Sequence, residues 1–490
     1  MLRRLLIGLL AVLLALAVAV AVNTLRQGSR QVQVEPLPPL AVDVAGAGAS
    51  LAVAVRARTV SGLLDPQGTA EAFDALHAHL QSRYPRVHAA LQREVVGDGS
   101  LLFTWPGSDA AAEAIVLMAH QDVAPVAPGT DSLWQHPPFS GTVVDGFVWG
   151  RGAWDDKGNL IAQLEALEML LAAGFQPRRT VYLVAGHDEE VGGRRGALVI
   201  AELLKSRGAR IQFVIDEGLL IADGMMPGLQ PPAALIGIAE KGFVSVQLSA
   251  TATPGHSSMP PPPGQSAIGI LGAALARVDA QPLPGGLDGG IARQMFDAVA
   301  PEMGGFNRVA LSNLWLFGPV VEAMLAKGPS TNALMRTTTA ITIVSGGNKE
   351  NVMPGRADAT VNFRLLPGDD EQTVLAHLQR VIADERVALK ALPGAAMPSR
   401  VSAVDSDAYR LIERTVRELF PEVIVAPGLM LGGTDARHFD GFAGQVFRFS
   451  PVRAQPADLA RFHGTDERIS LDNLAELIRF YHRLVEQAAR

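Results

Sequence analysis

The sequence predicts an α/β fold, in which a mostly parallel sheet is flanked by helices, with an inserted α+β lid domain and an N-terminal transmembrane helix. Three observations lead to this prediction. Short apolar runs alternate with amphipathic helices between residues 114 and 215. Segments in which apolar and polar residues alternate, as in antiparallel strands, interrupt this order further along the chain. A long uncharged run lies near the N-terminus. We therefore expect a discontinuous catalytic domain, made of residues 51–241 and 398–490, with the lid at residues 242–397.

The elements of the catalytic domain follow from hydrophobic periodicity. Leu160, Leu164 and Leu167 recur at helical spacing, whereas short apolar runs rich in Val and Ile indicate buried strands. The predicted order is strand 114–119, helix 159–173, strand 181–185, helix 196–206 and strand 211–215. A β-α-β-α-β order is typical of parallel sheets that carry helices on both faces.

The lid shows a different pattern. Apolar and polar residues alternate at 244–250, 338–344 and 357–365, which predicts half-buried antiparallel strands. A long insert at about residues 280–335 contains an apolar stretch at residues 311–321. This stretch would form either the core of the lid or a contact for an apolar acyl chain.

The N-terminal segment has the pattern of a membrane anchor. Arg3 and Arg4 precede an uncharged run at residues 5–22, which is 18 residues long. A bilayer core needs about 20 apolar residues, so this run is just long enough to span it. Positive residues before the run favour a cytoplasmic N-terminus and a periplasmic or extracellular catalytic part. For residues 1–30 a cleaved signal peptide of a secreted protein is the alternative. The Pro-, Ala- and Gly-rich residues 31–50 are predicted to be a linker.

The composition excludes several classes of protein. A chain of 490 residues with 48% apolar residues fits two or three folded domains and is too apolar to be largely disordered. The net charge of −7 includes no block of Lys and Arg, so no nucleic-acid surface is expected. One apolar run of spanning length excludes a multi-span transporter. Because the chain has no cysteine, any metal site must use His, Asp and Glu.

Polar side chains cluster where the predicted strands end. They are His120 and Asp122, Asp155 and Asp156, Asp188 to Glu190, Asp216, and the late His463. Ligand sites in open α/β sheets lie beyond the carboxyl ends of the strands. Adjacent carboxylates repel one another unless a cation compensates them, so the pattern predicts metal binding. Three further histidines near these clusters are predicted to be structural, namely His136, His187 and His438.

Nine segments carry a resemblance to a known family. They are MAHQDVAPV, WGRGAWDDKG, GHDEEVGG, VIDEG, PGHSSMP, NVMP, FRLLPG, GGTDAR and HGTDERI. In this order they resemble the motifs of the zinc-dependent co-catalytic peptidases, which include carboxypeptidase S, aminoacylase, glutamate carboxypeptidase and succinyl-diaminopimelate desuccinylase. The insert in the lid and the Asp-Asp-Lys form of the second segment are most similar to the carboxypeptidase S and N-fatty-acyl-amino-acid hydrolase branch.

The resemblance implies a site for two zinc ions. One zinc would be held by His120 and Asp216, and the other by Glu190 and His463. Asp155 would bridge the two ions. Imidazole ligands favour zinc over magnesium, while Co²⁺ or Mn²⁺ could also occupy such a site. Two ions at this spacing lower the pKa of a shared water molecule.

The resemblance also assigns roles to residues around the metals. Glu189 would be the general base, and Asp122 would orient His120. The substrate would be bound by His256, Asn351, Arg364, Gly433 and Thr434, with His256 at the oxyanion and the others at a free carboxylate. In some dimeric relatives this histidine comes from the partner subunit, so a homodimer formed through the lid is also an expectation.

The implied activity is hydrolysis of an amide bond next to a free carboxylate, by a metal-bridging hydroxide and a glutamate base. A carboxypeptidase and an N-acyl-amino-acid hydrolase both fit this description, and a reversible N-fatty-acyl-amino-acid synthase/hydrolase is a further alternative. A catalytically inactive binding homologue would lack a ligand or the base. Every matched position carries the residue type that the family uses, which favours an enzyme.

Overall fold

The computed structural model describes residues 1–62 and 70–490. The helices are α1 (Leu2–Arg26), α2 (Val44–Arg56), α3 (Ala70–Arg83), α4 (Pro85–Ala90), α5 (Lys157–Ala172), α6 (Ala197–Ser206), α7 (Ala267–Ala280), α8 (Gly290–Val299), α9 (Gly305–Ser312), α10 (Leu314–Leu325), α11 (Pro329–Met335), α12 (Glu371–Ile382), α13 (Asp407–Leu419) and α14 (Leu471–Ala488). The strands are β1 (Gln92–Val96), β2 (Ser100–Trp105), β3 (Ala114–His120), β4 (Thr142–Val144), β5 (Phe147–Trp149), β6 (Val181–Gly186), β7 (Ile211–Ala222), β8 (Ala233–Glu240), β9 (Gly242–Thr251), β10 (Gly255–His256), β11 (Thr338–Gly346), β12 (Val352–Met353), β13 (Arg356–Leu365), β14 (Val387–Ala391), β15 (Ile424–Met430), β16 (Ala443–Ala454) and β17 (Arg468–Ser470).

The catalytic domain is built on an eight-stranded sheet with the order β1-β2-β6-β3-β7-β16-β8-β15. The central neighbours β6, β3, β7 and β16 run parallel, as expected for strands that alternate with helices. The pairs β1–β2, β2–β6 and β16–β8 are antiparallel, so the complete sheet is mixed. The predicted α/β fold with helices on a largely parallel centre is therefore confirmed.

Helices cover both faces of the sheet. Successive side chains of a strand point to opposite faces, and every residue of β3 is buried, so both faces must be covered. On one face Ile115 and Leu117 share a hydrophobic core with α5 and α14. On the other face Val116 and Met118 share a core with α6. His120, the last residue of β3, is thereby held in place by a strand that packs on both sides.

The lid contains a four-stranded antiparallel sheet with the order β11-β13-β9-β14. Along β9 buried and half-buried residues alternate, as the sequence pattern predicted. One face of this sheet packs against α7 and α12 in a separate hydrophobic core. The lid sheet therefore carries its own core, joined to the catalytic domain at Lys241.

The insert in the lid differs from its expected place. Helices α8 to α10 do not join the core of the lid sheet. They pack against the edge of the catalytic sheet, where Met295, Phe296 and Leu314 share a core with Ala233 of β8 and Ala426 of β15. The physical reason is that the edge strand β15 leaves apolar surface that the amphipathic α8 covers.

The predicted linker is also more ordered than its composition indicates. Helix α2 already begins at Val44, with the Asp43 side chain as its N-cap, and it buries Ala47 and Leu51 against the main core. Upstream, the Gln31 side chain hydrogen-bonds both the backbone N–H and the carbonyl oxygen of Val425, at 2.7 and 3.0 Å. Small residues allow this close packing, so a segment whose composition is typical of linkers here belongs to the catalytic domain.

Candidate metal centre

The Asp155 carboxylate lies between two imidazoles. Its Oδ1 is 2.8 Å from Nε2 of His120, and its Oδ2 is 2.7 Å from Nε2 of His463. The same His463 nitrogen lies 3.2 Å from Oε2 of Glu190. Each oxygen of one carboxylate thus faces a different imidazole nitrogen, which is the arrangement that a bridging carboxylate requires.

Two groups of side chains have ligand atoms that all lie within 4.8 Å of one another. One group is His120, Asp155 and Glu190, and the other is His120, Asp156 and Glu217. Four of the five predicted metal ligands therefore meet in one place, since His463 contacts both Asp155 and Glu190.

Asp216 is the exception, and Glu217 takes the place expected for it. Both Asp216 oxygens accept backbone hydrogen bonds at 2.9 Å, from the N–H groups of Glu217 and Ala436. The pairing of β7 with β16 shifts its register directly after Asp216, since Arg448 faces Asp216 and Phe449 faces Leu219, so Glu217 lies in an irregular part of the strand. Glu217 Oε1 lies 3.6 Å from Nε2 of His120. Within the described residues the structure thus groups Glu217, and not Asp216, with His120 and Asp156, while Asp216 as a metal ligand stays a prediction.

Asp122 is fully buried and connects His120 to the segment that carries Glu189 and Glu190. His120 Nδ1 lies 2.9 Å from the Asp122 carbonyl oxygen and 3.3 Å from its Oδ1. The two Asp122 carboxylate oxygens accept the backbone N–H groups of Glu189 and Glu190, each at 3.1 Å. The carboxylate therefore holds the His120 ring and also sets the backbone position of the two glutamates.

Glu467 and Arg151 hold His463 close to Asp155. Glu467 Oε1 accepts the backbone N–H of Asp155 at 3.1 Å, and Arg151 donates to the backbone carbonyl of His463 at 2.9 Å. The two side chains also form a buried ion pair. The sequence analysis did not identify this pair, although Glu467 lies inside the HGTDERI segment.

Electrostatics at the centre reflect the excess of acids. Burial opposes ionisation of Asp155, but hydrogen bonds from His120 and His463 outweigh it and lower the pKa of Asp155. The same contacts with Asp155 and Glu190 raise the pKa of His463 to about 10. Burial, followed by repulsion from Asp155 and Asp156, raises the pKa of Glu217 well above its usual value.

The predicted substrate-binding residues fall into two groups. His256 ends β10 and Asn351 directly precedes β12, and beside this ladder the Ser257 N–H donates to the Asn351 carbonyl at 3.1 Å. Arg364 is exposed on β13, with its guanidinium 5.6 Å from the centre of the Phe243 ring. Within residues 1–62 and 70–490, no hydrogen bond joins these lid side chains to the metal centre.

Thr434 and Gly433 lie in the catalytic domain and contact a buried ion-pair network. The N–H and hydroxyl of Thr434 both donate to Glu240 Oε2, at 3.2 and 2.9 Å. A side chain at Gly433 would collide with the Arg437 guanidinium. The Thr434 hydroxyl is therefore engaged by Glu240, and its contact with a substrate stays a prediction.

The three histidines predicted to be structural have partners away from the cluster. His187 Nδ1 lies 2.7 Å from the Ser100 hydroxyl, and His438 Nε2 lies 3.1 Å from the Gly192 carbonyl oxygen. The ring of His136 packs edge-on against a tryptophan.

Comparison with known proteins places this geometry in a family. Residues 116–487 match the model of peptidase family M20/M25/M40. The chain belongs to this family. Among curated relatives it is 42% identical to the N-fatty-acyl-amino acid synthase/hydrolase PM20D1.1 of Danio rerio, over 89% of this chain and 84% of that protein. It is 38% identical to the probable carboxypeptidase S-like 2 of Dictyostelium discoideum, over 100% of this chain and 93% of that protein. These relatives match the branch that the sequence motifs indicated.

Two solved structures share the fold. The M20 family metallo-carboxypeptidase Sso-CP2 of Sulfolobus solfataricus superposes with a TM-score of 0.63 at 18% identity, covering 91% of this chain and 99% of that one. Human carnosine dipeptidase 1 gives a TM-score of 0.57 at 18% identity, covering 91% and 97%.

As an M20 protein, the chain is a metal-dependent amidohydrolase or peptidase. Its donor set fits this requirement. Two imidazoles and several carboxylates converge, and Glu190 Oε1 is buried without a hydrogen-bond partner in the part of the chain that the structure describes. A buried carboxylate oxygen without a donor is costly unless a cation or water satisfies it.

Proposed function

We propose that this enzyme holds two zinc ions and hydrolyses N-acyl amino acids at the amide bond next to their free carboxylate. The observation that carries the proposal is the Asp155 carboxylate, which faces His120 with one oxygen and His463 with the other. His120, Asp155 and Glu217 would hold one ion. Glu190 and His463, with Asp155 as the shared ligand, would hold the other.

The ions would supply Lewis-acid polarisation of the scissile carbonyl and would make a water molecule acidic enough to attack at neutral pH. The chain would move the protons. Glu189 lies beside the metal ligand Glu190, and burial raises the pKa of its carboxyl group. It would accept the proton of the water molecule and return it to the leaving nitrogen.

His256 has the tautomer that an oxyanion site needs. Its Nδ1 accepts the backbone N–H of Ser258 at 3.2 Å and lies 2.8 Å from the Ser258 hydroxyl. In a neutral imidazole an accepting Nδ1 leaves the proton on Nε2. The exposed ring therefore presents an N–H donor for the developing negative charge. Arg364 and Asn351 would bind the free carboxylate, because a guanidinium can hold both of its oxygens at once.

N-acyl amino acids are the favoured substrate class because relatives at 40–42% identity from several vertebrates are named N-fatty-acyl-amino acid synthase/hydrolases. A carboxypeptidase is the second candidate, since the match to the carboxypeptidase S-like 2 protein extends over the complete chain. We also propose that α1 remains as a membrane anchor. It is the one helix, in residues 1–62 and 70–490, that is long and apolar enough to cross a bilayer, a property that it shares with signal sequences.

The test is turnover of N-acyl amino acids and N-blocked dipeptides by the full-length enzyme and by Glu189→Gln. We expect the variant to keep both metals, because its ligands are unchanged, and to lose at least about 100-fold in kcat, the lower range for a general base. Glu202→Gln, which alters an exposed carboxylate on α6, is the matched control. Activity of Glu189→Gln within tenfold of wild type would contradict the assigned base. Turnover of the dipeptides alone would favour the carboxypeptidase.

A further inference from the structure

Helix α10 is apolar on all sides, although it lies on the surface. Leu314 and Gly318 are buried, and Val321 and Leu325 pack against the core shared with the catalytic sheet. Glu322, its single charged residue, also turns inward and accepts the backbone N–H of Leu287 at 2.8 Å. A surface helix in water normally presents polar residues on its outer face. The outer face of α10 lacks them.

Four large apolar side chains form an exposed patch, which we name the apolar corner. They are Phe306, Trp315, Val320 and Met324, with 66, 61, 56 and 65% of their surface exposed. Phe306 of α9 packs edge-on against Phe317 of α10, with 5.6 Å between the ring centres. This contact joins the exposed apolar surface of α9 to that of α10. Patches of this kind indicate contact with a protein or a membrane.

The membrane-spanning candidate α1 is attached to this same corner. The Asn23 side chain donates to the Ser312 carbonyl at 2.6 Å, and Asn313 donates to the Thr24 hydroxyl at 2.8 Å. Asn313, which joins α9 to α10, is completely buried. Arg308 further donates to the backbone carbonyl of Gln27 at 3.3 Å. The last turn of α1 is thus bonded to the junction between the two helices of the corner.

This attachment determines the depth of the corner relative to a bilayer. If residues 5–22 cross the hydrocarbon core, the polar residues that follow them lie at its surface. The junction between α9 and α10 is bonded to those residues, so the corner would begin at the same level. Helix α10 has 12 residues, which is too short to span a bilayer but sufficient to lie along its surface. Trp315 is a residue type that membrane interfaces favour.

We propose that the apolar corner inserts into the surface of the lipid bilayer beside α1, so that the insert of the lid is a second membrane contact of this enzyme. The proposal rests on the anchor role proposed for α1. The corner commits the protein to one orientation on the membrane, because α8 to α10 are packed on the catalytic sheet. In this orientation an amphiphilic substrate such as an N-acyl amino acid would reach the enzyme from the membrane surface.

Nitroxide labels on the full-length enzyme in lipid nanodiscs test this proposal. The chain has no cysteine, so each single-cysteine variant carries one label. Val320→Cys and Met324→Cys report on the corner, and Leu13→Cys reports on α1. Val95→Cys is the matched control, because Val95 is exposed on β1 at the edge of the catalytic sheet opposite to β15.

We expect labels at positions 320 and 324 to collide several-fold less often with a water-soluble nickel chelate than the label at position 95, and more often with oxygen. If they collide with nickel as often as the label at position 95, the proposal is wrong. If the label at position 13 is then still shielded from nickel, the anchor role of α1 holds although the corner does not insert. If that label also collides with nickel, the anchor role and the insertion of the corner are both wrong. Spin–spin broadening between labels at position 320 would assign the corner to a second copy of the chain and would equally overturn the proposal.

Discussion

The acidic pair Asp216–Glu217 offers a test that separates a metal ligand from a structural carboxylate one residue away. Glu217 Oε1 lies 3.6 Å from Nε2 of His120, whereas both oxygens of Asp216 are occupied by backbone N–H groups at 2.9 Å. We therefore expect opposite outcomes for Glu217→Gln and Asp216→Asn. The first should lose metal and keep its stability without metal, and the second should lose stability and keep metal.

The magnitudes follow from the contacts that each substitution removes. Changing residues that only orient metal ligands costs about 10–100-fold in affinity, so loss of a ligand carboxylate should cost at least about 100-fold, or about 2.7 kcal/mol. In Asp216→Asn the amide oxygen can accept one backbone N–H, while the amide nitrogen faces the other. A lost buried hydrogen bond to a charged group corresponds to about 1.5–3 kcal/mol of unfolding free energy.

Two measurements on each variant decide the matter. Metal content after dialysis against a series of chelator concentrations gives the relative affinity, and denaturant unfolding of the metal-free protein gives the stability. Asp223→Asn, just beyond the end of β7, controls for a change of charge near this strand. The reasoning is refuted if Asp216→Asn loses one ion while Glu217→Gln retains two.

Two further substitutions test the substrate site and the buried network beside it. Arg364→Lys should raise KM for an N-acyl amino acid about 10–100-fold with little change in kcat, because a lysine cannot bind a carboxylate bidentately. Steady-state kinetics would measure this, with Arg356→Lys on the same strand as the control. An unchanged KM would show that Arg364 does not bind the substrate. Glu240→Gln should lower the unfolding free energy by about 3–5 kcal/mol, because it leaves the fully buried Arg448, now 3.0 Å from Glu240, without its counter-ion. An unfolding midpoint equal to that of wild type would contradict this account of the pair.

The central strands were predictable because local pattern determines them. β3 is buried on both faces and therefore appears in the sequence as a continuous apolar run, and α5 begins within two residues of its expected start. The antiparallel neighbours of the sheet were not predictable, since strand order depends on contacts between distant segments. β8 and β16, for example, pair across about 200 residues of intervening sequence.

The packing of the insert and of α2 could not be predicted from the sequence for a different reason. The apolar stretch at residues 311–321 was expected to form lid core or to contact an acyl chain. It is not lid core, because it packs on the catalytic sheet with one face and exposes Trp315 with the other, while contact with an acyl chain stays a prediction. Periodicity cannot identify which surface an apolar helix covers. In α2 the many Ala and Gly residues resemble a linker, although they allow the helix to pack closely against α5 and α14.

At the metal centre the sequence indicated which segments converge but not which member of an acidic pair points inward. His120 and Glu190 meet because β3 and β6 are parallel neighbours that end at the same edge of the sheet, whereas Asp155 and His463 lie in loops next to β5 and β17, which pair in a separate three-stranded sheet. Choosing between Asp216 and Glu217 required knowledge of the irregularity in β7, where the register with β16 shifts directly after Asp216. Glu467 was overlooked because an acid after a glycine turn usually lies in solvent, whereas here it is buried under three backbone N–H groups.

The excess of carboxylates explains why these segments would need cations to remain together. Burial is the first cause that raises the pKa of Asp156, Glu189 and Glu217 well above their usual values. Without cations these groups would have to retain protons at neutral pH, because separated negative charges cannot be buried side by side at acceptable cost. The two imidazoles lie within 3.6 Å of four carboxylates, which belong to Asp122, Asp155, Glu190 and Glu217. A pair of divalent ions would supply four positive charges where these two imidazoles supply at most two. The excess of acids, which is visible in the sequence, thus supports the two ions of the proposed function.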